Sequence, residues 1–337
     1  MTDHTDHRLQ HPSRRRGLAW GSAALALGLL GAAPWAFAQS FPARPVKIIV
    51  AVAPGGPTDH LARLIGPHLS EAWGQAVTVE NRPGAGQLIG TAAAAKAPAD
   101  GHTLLMTTNV FPVNPHLYDK LPYDPRQDFT PVSLVATANL ILVVNPQLKV
   151  NSVGELIEHA KARPGVLNFG SSGASSSLRL AMELLLRSTG TQMTHVPFNG
   201  AAPLVTTLLG GQVQVAIVDA AVSKTQIAAG RMRALAVTGS ERSPVMPELP
   251  TIAEAGVPGY SAGSWFGLLA PAGTPPAVVR KIQQDVARVL KLPEVQQSLR
   301  QHDETGIGNS PEEFGAFIQA EGLKWGKVIR DNNITAQ

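Results

Sequence analysis

The sequence has no cysteine, few aromatic residues and few charged ones. The absence of cysteine excludes disulfide bonds, thiol catalysis and thiolate metal sites. Charged residues make up 15% of the 337 residues and the formal net charge is only +4, which gives no indication of a nucleic-acid-binding surface. No apolar run after residue 38 is long enough to cross a bilayer. What is present is a chain with 44% hydrophobic residues, long enough for two globular domains.

The first 38 residues have the pattern of an export signal. Three arginines at positions 14–16 precede an apolar run over 18–33, which ends near the small-x-small pattern Ala-Phe-Ala at 36–38. An uncleaved membrane anchor is the alternative, but the run is shorter than the roughly 20 residues that a spanning helix needs. We therefore predict that residues 1–38 are removed near Ala38 and that the mature protein is periplasmic, exported by the general or the twin-arginine route.

Residues 46–63, VKIIVAVAPGGPTDHLAR, combine a buried-strand pattern, a Gly-Gly-Pro turn and the start of a helix. Gly55 and Gly56 allow a turn without Cβ clashes, and Pro57 suits the first helical position. The free N–H groups and the helix dipole at such a junction favour an anion. Similar turns occur without any ligand, so this segment leaves both interpretations open. Asp59 either caps the helix or meets a polar group of the ligand.

Short apolar strands alternate with amphipathic helices along the chain, which favours parallel sheets covered by helices. A Pro-rich stretch over 111–131 interrupts the alternation, which then resumes as a second α/β unit. After an irregular stretch over 244–263 the chain ends in a strand and two helices. We predict lobe 1 from residues 39–137 plus 258–337 and lobe 2 from 138–257, with a hinge at 137–139 and 257–263.

A second candidate anion site is GSSGASSS at residues 170–177, which also follows a strand and precedes a helix. A helix cap with a flexible lead-in is the alternative. Two such openings, one in each lobe, favour a ligand held in a cleft with donors from both walls. Asp219 ends the strand QVQVAIVD, where a carboxylate faces the ligand crevice of open α/β sheets, although a helix-capping role is equally open.

Enzyme-like patterns in the chain lack their structural context. Residues 259–263, GYSAG, match the nucleophile elbow with Ser261, but a proline precedes them and a strand follows, whereas the elbow lies between a strand and a helix. The glycines at 84–90 lack the acidic residue that a dinucleotide turn needs about 20 residues later. The histidines of the mature chain show no metal-ligand spacing. We predict no metal, no cofactor and no enzymatic activity, with an exported serine hydrolase as a minor alternative.

Segments spread over the whole mature chain resemble the Bug family, periplasmic substrate-binding receptors of tripartite tricarboxylate transporters. They read FPARPVKIIVAVAPGGPTD, VENRPGAGQLIG, NPHLYDKLPYDPRQDFTPVSLV, HVPFNGAAP, LLGGQV, RALAVTGSERSP, LPTIAEAG and SWFGLLAPAGTP. The resemblance implies a two-lobed, type II periplasmic-binding-protein fold. Each lobe is a helix-covered sheet, and the lobes close around one small ligand such as a dicarboxylate, an amino acid or an aromatic acid.

The resemblance also implies which residues bind the ligand. Matched motif by motif, they are Gly55, Gly56, Thr58, Asp59, Thr107, Thr108, Asn109, Ser171, Ser172, Gly173, Ser175, Ser176, Gly200, Ala201 and Asp219. The partners implied are a small carboxylate and the membrane components of a tripartite transporter, and we expect a monomer that binds no nucleic acid. A receptor that signals to a sensor partner is an alternative to one that feeds a transporter.

Two positions depart from the family's pattern and bear on the ligand. Arg179 stands where the family commonly has His, and Asn199 stands where it commonly has Lys. An arginine facing the cleft would favour a second carboxylate or another planar anion. We expect Arg179 to face solvent instead, because it lies past the first turn of its helix.

Overall fold

Strand–helix units build both halves of the protein, in a computed structural model that describes residues 1–2, 41–173, 176–198 and 200–335. The predicted export signal therefore lies almost wholly outside the described residues. The strands are β1 Val46–Val50, β2 Val77–Asn81, β3 Thr103–Thr108, β4 Phe129–Val144, β5 Asn168–Ser171, β6 Thr194–Pro197, β7 Val215–Asp219, β8 Arg233–Val237, β9 Gly263–Pro271 and β10 Glu304–Gly306.

Helices cover the strands and follow most of them directly. They are α1 Pro57–Trp73, α2 Leu88–Ala95, α3 Val110–Leu117, α4 Val153–Ala162, α5 Ser177–Thr189, α6 Ala201–Leu209, α7 Ala220–Ala228, α8 Pro276–Val289, α9 Pro293–Gln301 and α10 Pro311–Asp331. A capping box is present at the start of α10, where Ser310 and Glu313 satisfy each other's backbone N–H groups. In the part of the chain that the structure describes, no helix has the length and apolarity needed to span a bilayer.

The sheet has the strand order β2-β1-β3-β9-β4-β7-β5-β6, with β8 and β10 also paired to β4. β1 runs parallel to β2 and β3, and β5 runs parallel to β6 and β7, as strand–helix–strand crossovers require. β9 and β4 are antiparallel to their neighbours and join the two parallel groups. The predicted α/β architecture is confirmed, with an antiparallel centre that the alternation of elements did not indicate.

The long strand β4 passes from one half of the sheet to the other. It pairs with β9 as far as Asn139 and with β7 from Leu140 onward. The predicted passage at 137–139 lies at this change of partner. Residues 41–337 nevertheless form one packing unit, so the lobe boundaries remain a prediction.

Separate hydrophobic cores fill the two halves. Val46, Ile48 and Leu61 lie in a core against β1 and β3, whereas Leu142 and Ile217 lie in a core around the second half of β4. The C-terminal helix α10 serves both halves. Its Phe314 packs beside β9, and its Trp325 joins the core around the second half of β4. This helix therefore joins the predicted lobes in addition to the strands that cross between them.

Candidate functional site

A cavity of about 980 Å³ opens where strand ends from both halves of the sheet meet. One wall comes from the β1–α1 turn, the β2–α2 connection and the end of β3. The other wall comes from the serine-rich turn, the α6 start and the β7–α7 junction. The lining residues are Val52, Ala53, Pro54, Gly55, Gly56, Pro57, Thr58, His60, Gly86, Gln87, Thr108, Asn109, Val110, Tyr118, Ser172, Gly173, Ser176, Ser177, Gly200, Ala201, Ala202, Pro203, Asp219, Ala221, Val222, Ser264, Phe266 and His302.

Six helices begin at the wall of this cavity. The lining includes first-turn or N-cap residues of α1, α2, α3, α5, α6 and α7. The first N–H groups of a helix have no partner within it, and its dipole is positive at that end. The described lining residues include no lysine and no arginine. The wall therefore attracts negative charge through backbone groups rather than through cationic side chains.

Most of the predicted ligand-binding residues line the cavity together. These are Gly55, Gly56, Thr58, Thr108, Asn109, Ser172, Gly173, Ser176, Gly200, Ala201 and Asp219. Asp59, Thr107 and Ser171 are buried next to these residues but do not line the cavity. Ser175 lies outside the described residues. The turns predicted from the sequence therefore line one cavity. Contact between each of these residues and a ligand stays a prediction.

The glycine turn after β1 is held in place by a buried carboxylate. Gly55 has a φ of +92°, which an L side chain rarely adopts, and its N–H donates to Asp59 Oδ2 at 3.0 Å. Asp59 also accepts from Arg63 Nε at 3.0 Å and from Asn81 Nδ2 at 2.9 Å. Burial acts to raise the pKa of Asp59, but these three hydrogen bonds hold the pKa below its ordinary value. The carboxylate thus serves the turn rather than facing the cavity.

Gly56 differs from Gly55 in having no conformational need for glycine. Its φ is −91°, and a Cβ built there would meet no atom within 4 Å. Because Gly56 lines the cavity, a side chain at this position would enter open space at the wall. A bulky residue at Gly56 can therefore obstruct the cavity without straining the backbone.

The serine-rich turn after β5 folds around the carbonyl of Gly173. The hydroxyl groups of Ser171 and Ser176 lie 3.2 and 2.8 Å from that carbonyl oxygen. Ser176 also accepts from Arg179 N at 3.3 Å and so caps α5, as the alternative interpretation of this run supposed. These hydroxyl groups are committed to the turn itself. The cavity is left with Ser172, Ser177 and the backbone N–H groups.

His195 supports the serine-rich turn from behind. Its Nε2 lies 2.7 Å from Ser171 Oγ, and its ring packs on Phe169 with 4.9 Å between ring centroids. Burial, with a smaller effect of the nearby Arg179 charge, lowers the pKa of His195 to about 4. The imidazole is therefore neutral at physiological pH and can act as a fixed partner of Ser171.

Arg179 faces neither solvent nor the cavity. Its side chain is buried, with Nε 3.4 Å from Glu183 Oε1 and Nη1 3.4 Å from the Thr335 carbonyl oxygen. The expectation that it faces solvent was wrong, because the C-terminal segment after α10 packs over this face of α5. Arg179 does not line the cavity and supplies no cation to it. Asn199 lies outside the described residues.

Several cavity residues were missed by the sequence analysis. Ser264 lines the cavity, and its hydroxyl oxygen lies 3.0 Å from that of Ser177 in the predicted serine-rich run, which links β9 to α5. His60 and His302 also line it, with stacked rings 3.9 Å apart between centroids. His60 is one residue beyond a predicted site residue and could have been found from it. His302 and Ser264 come from distant parts of the chain, and no local pattern marks them.

Asp219 carries the acidic side chain of the described cavity lining. It occupies the N-cap position of α7 but makes no side-chain capping hydrogen bond, so the capping alternative is not what orients it. Burial and the neighbouring Glu304 carboxylate raise the pKa of Asp219 to about 6. Near neutral pH the group is still mainly charged. It therefore gives one part of the cavity a negative character.

A family profile and a curated relative both match most of the chain. The sequence profile described as "Tripartite tricarboxylate transporter family receptor" matches residues 61–334. The chain belongs to this family of receptors. "Protein BugT" of Bordetella pertussis is 38% identical over 296 residues, which cover 87% of this chain and 91% of BugT. The similarity to the Bug family is thereby confirmed.

Solved structures of relatives share the fold. The structure "R. palustris Rpa4515 with adipate" is 40% identical, has a TM-score of 0.80 and is matched over 88% of this chain and 99% of its own. The structure of MatC from Rhodopseudomonas palustris with bound malate is 33% identical, has a TM-score of 0.75 and is matched over 86% and 100%. The chain therefore has the two-lobed fold of periplasmic solute-binding proteins, with its cavity in the cleft between the lobes.

Proposed function

We propose that this receptor captures a small organic carboxylate between its lobes in the periplasm and delivers it, as a monomer, to the membrane components of a tripartite transporter. The observation that carries the proposal is the cavity wall formed by six helix starts, in a described lining that holds no lysine or arginine. Such a wall binds a carboxylate by charge-assisted hydrogen bonds from the backbone. The adipate and malate bound to two relatives belong to this ligand class.

The delivery step is proposed because the chain belongs to a family of receptors for tripartite tricarboxylate transporters. A ligand gripped from both walls favours the closed state of two hinged lobes, and closure changes the outer surface that a membrane partner meets. The change of partner on β4 from β9 to β7 at residues 139–140 supports a hinge near the predicted passage at 137–139. Delivery to a signalling partner would use the same closure.

Binding without catalysis fits the surroundings of Ser261. The residue lies just before β9 and not between a strand and a helix, and its carbonyl oxygen accepts from Lys324 Nζ at 2.8 Å. Tyr260, beside it, is buried and donates to the Ala181 carbonyl at 2.9 Å. This segment contacts α5 and α10, and it lacks the geometry of a nucleophile elbow.

The proposal is tested by thermal unfolding of the mature protein with a panel of small mono-, di- and amino carboxylates, after bound ligand has been removed by unfolding and refolding. A ligand present at about 100 times its Kd adds about 2.7 kcal/mol to the free energy of unfolding and raises the Tm. Gly56→Leu should abolish that rise while leaving the Tm of the free protein nearly unchanged, because the side chain enters open space.

The matched control is Gly154→Leu in exposed α4, whose Cβ would also meet almost no neighbour. This variant should keep the ligand-dependent rise in Tm. Retention of the full rise in Gly56→Leu would reject the proposed grip. A panel in which no carboxylate raises the Tm would reject the proposed function.

A further inference from the structure

The charge of the cavity is asymmetric. The helix starts present N–H groups, whereas Asp219 presents a carboxylate at the end of β7. No side chain of the described residues donates a hydrogen bond to this carboxylate, and no lysine or arginine of the described lining lies in the same cavity. Its position at the start of α7 stabilises the negative charge in place.

Glu304 reinforces this negative end. It is 5% exposed, and it pairs with Ala138 of β4, while Asp219 pairs with Leu140 two residues further along the same strand. Its Oε2 atom has no hydrogen bond in the described residues and lies 3.4 Å from His60 Nδ1. The two carboxylates are close enough for Glu304 to affect the pKa of Asp219.

The two histidines near Glu304 are engaged with the protein. His60 Nε2 lies 3.1 Å from Ser298 Oγ, and His302 Nδ1 lies 2.9 Å from the Ser298 carbonyl oxygen. His60 thus has Glu304 on one side of its ring and Ser298 on the other. The carboxylate in contact with the His60 ring is therefore that of Glu304. The carboxylate of Asp219 remains without a cationic partner among the described lining residues.

A ligand with two carboxylates would have to place one of them in a cavity that already holds this negative end. Like charges brought together out of water are strongly unfavourable, whereas a cationic N–H donor would both neutralise and hydrogen-bond the carboxylate. We infer that Asp219 receives an ammonium or another cationic N–H group of the ligand, so that the receptor prefers amino carboxylates to dicarboxylates. This inference rests on the proposed function, in which the helix starts bind the ligand's carboxylate.

The inference separates this chain from the two solved relatives named above, whose bound ligands are dicarboxylates. It is tested by calorimetric titration of the mature protein with matched pairs of three to seven carbons, each pair an amino carboxylate and the dicarboxylate of equal length. Adipate and 6-aminohexanoate form one such pair. We expect the best amino carboxylate to bind at least about tenfold more tightly than its dicarboxylate counterpart.

Asp219→Asn removes the charge and keeps the shape of the side chain. It should reduce that preference by about tenfold or more and raise the affinity for the dicarboxylate, a reversal that mere loss of folding cannot produce. Glu304→Gln should move the preference in the same direction by a smaller factor. Glu158→Gln, on exposed α4, removes one negative charge far from the lining and should leave the preference unchanged.

The outcomes are distinct. Tighter binding of dicarboxylates by the wild type, or an unchanged ratio in Asp219→Asn, overturns the inference while the proposed function stands. Failure of every pair to bind rejects the inference together with the proposed function.

Discussion

The two turns that face each other across the cavity are built by different chemistry. The glycine turn after β1 is held by the carboxylate of Asp59, which accepts hydrogen bonds from Gly55, Arg63 and Asn81. The serine-rich turn after β5 is held by neutral groups, with two hydroxyl groups at the Gly173 carbonyl and His195 behind them. In both turns the polar side chains are used to fix the backbone. The groups left for the ligand are therefore mainly backbone N–H groups, already oriented before it arrives.

Because of this difference, we expect the two turns to lose their structure under different perturbations. The glycine turn depends on one buried charge, and loss of that charge leaves several donors without an acceptor. The serine turn depends on several weaker bonds and on an imidazole that must stay neutral. The first should be sensitive to substitution, and the second should be sensitive to pH.

The largest effect is expected from Asp59→Ala. The substitution removes the acceptor of the Gly55 N–H and of the Asn81 amide, while Arg63 is half exposed and can turn to water. We expect a loss of about 2 kcal/mol in the free energy of unfolding, measured by urea denaturation, together with weaker ligand binding.

The control is Asp331→Ala, which removes surface ion pairs with Arg187 and Lys327 and should cost clearly less than Asp59→Ala, because water screens both pairs. Equal costs for the two variants would contradict the role given to Asp59.

A smaller effect is expected from the titration of His195, because its ring is only partly buried and water offsets part of the cost of charging it. Its folded pKa of about 4 lies below the ordinary value of 6.5, so the unfolded chain binds the proton more readily. The contribution to stability is complete above about pH 6.5 and is lost as the pH falls toward 4. His195→Gln removes the titration, so the stability of the wild type should fall relative to this variant over that range.

Parallel pH profiles for wild type and His195→Gln would show that the imidazole is not held neutral. The comparison between the two proteins also removes the opposite contribution of Asp219, whose raised pKa makes acid favourable to the folded state.

The sequence predicted the local parts of the site and missed the partners that come from a distance. The Gly-Gly-Pro turn, the serine turn and the strand end at Asp219 were found because each is a short pattern of strand, turn and helix start. The role of Asp59 was left open, because the choice depended on Asn81, which is brought to it by the pairing of β2 with β1.

The same limit explains the other gaps. His60, His302 and Glu304 meet because β10 pairs with β4 near the crossing between the lobes, and nothing in a short window indicates that pairing. The antiparallel centre formed by β9 and β4 likewise depends on contacts between segments more than 100 residues apart. Arg179 was misplaced because the segment after α10 covers it. Long-range packing decides each of these cases.

Ligand capture as proposed requires that backbone N–H groups of both turns bind one ligand carboxylate. A crystal structure of the mature protein with the best-binding carboxylate tests this directly. We predict carboxylate oxygens at hydrogen-bonding distance, about 2.7 to 3.2 Å, from N–H groups of Gly56 or Thr58 at the start of α1 and from N–H groups of the serine-rich turn, while the Gly55 N–H stays bonded to Asp59. A carboxylate bound to side chains elsewhere in the cavity, with both turns free of contact, would contradict the account.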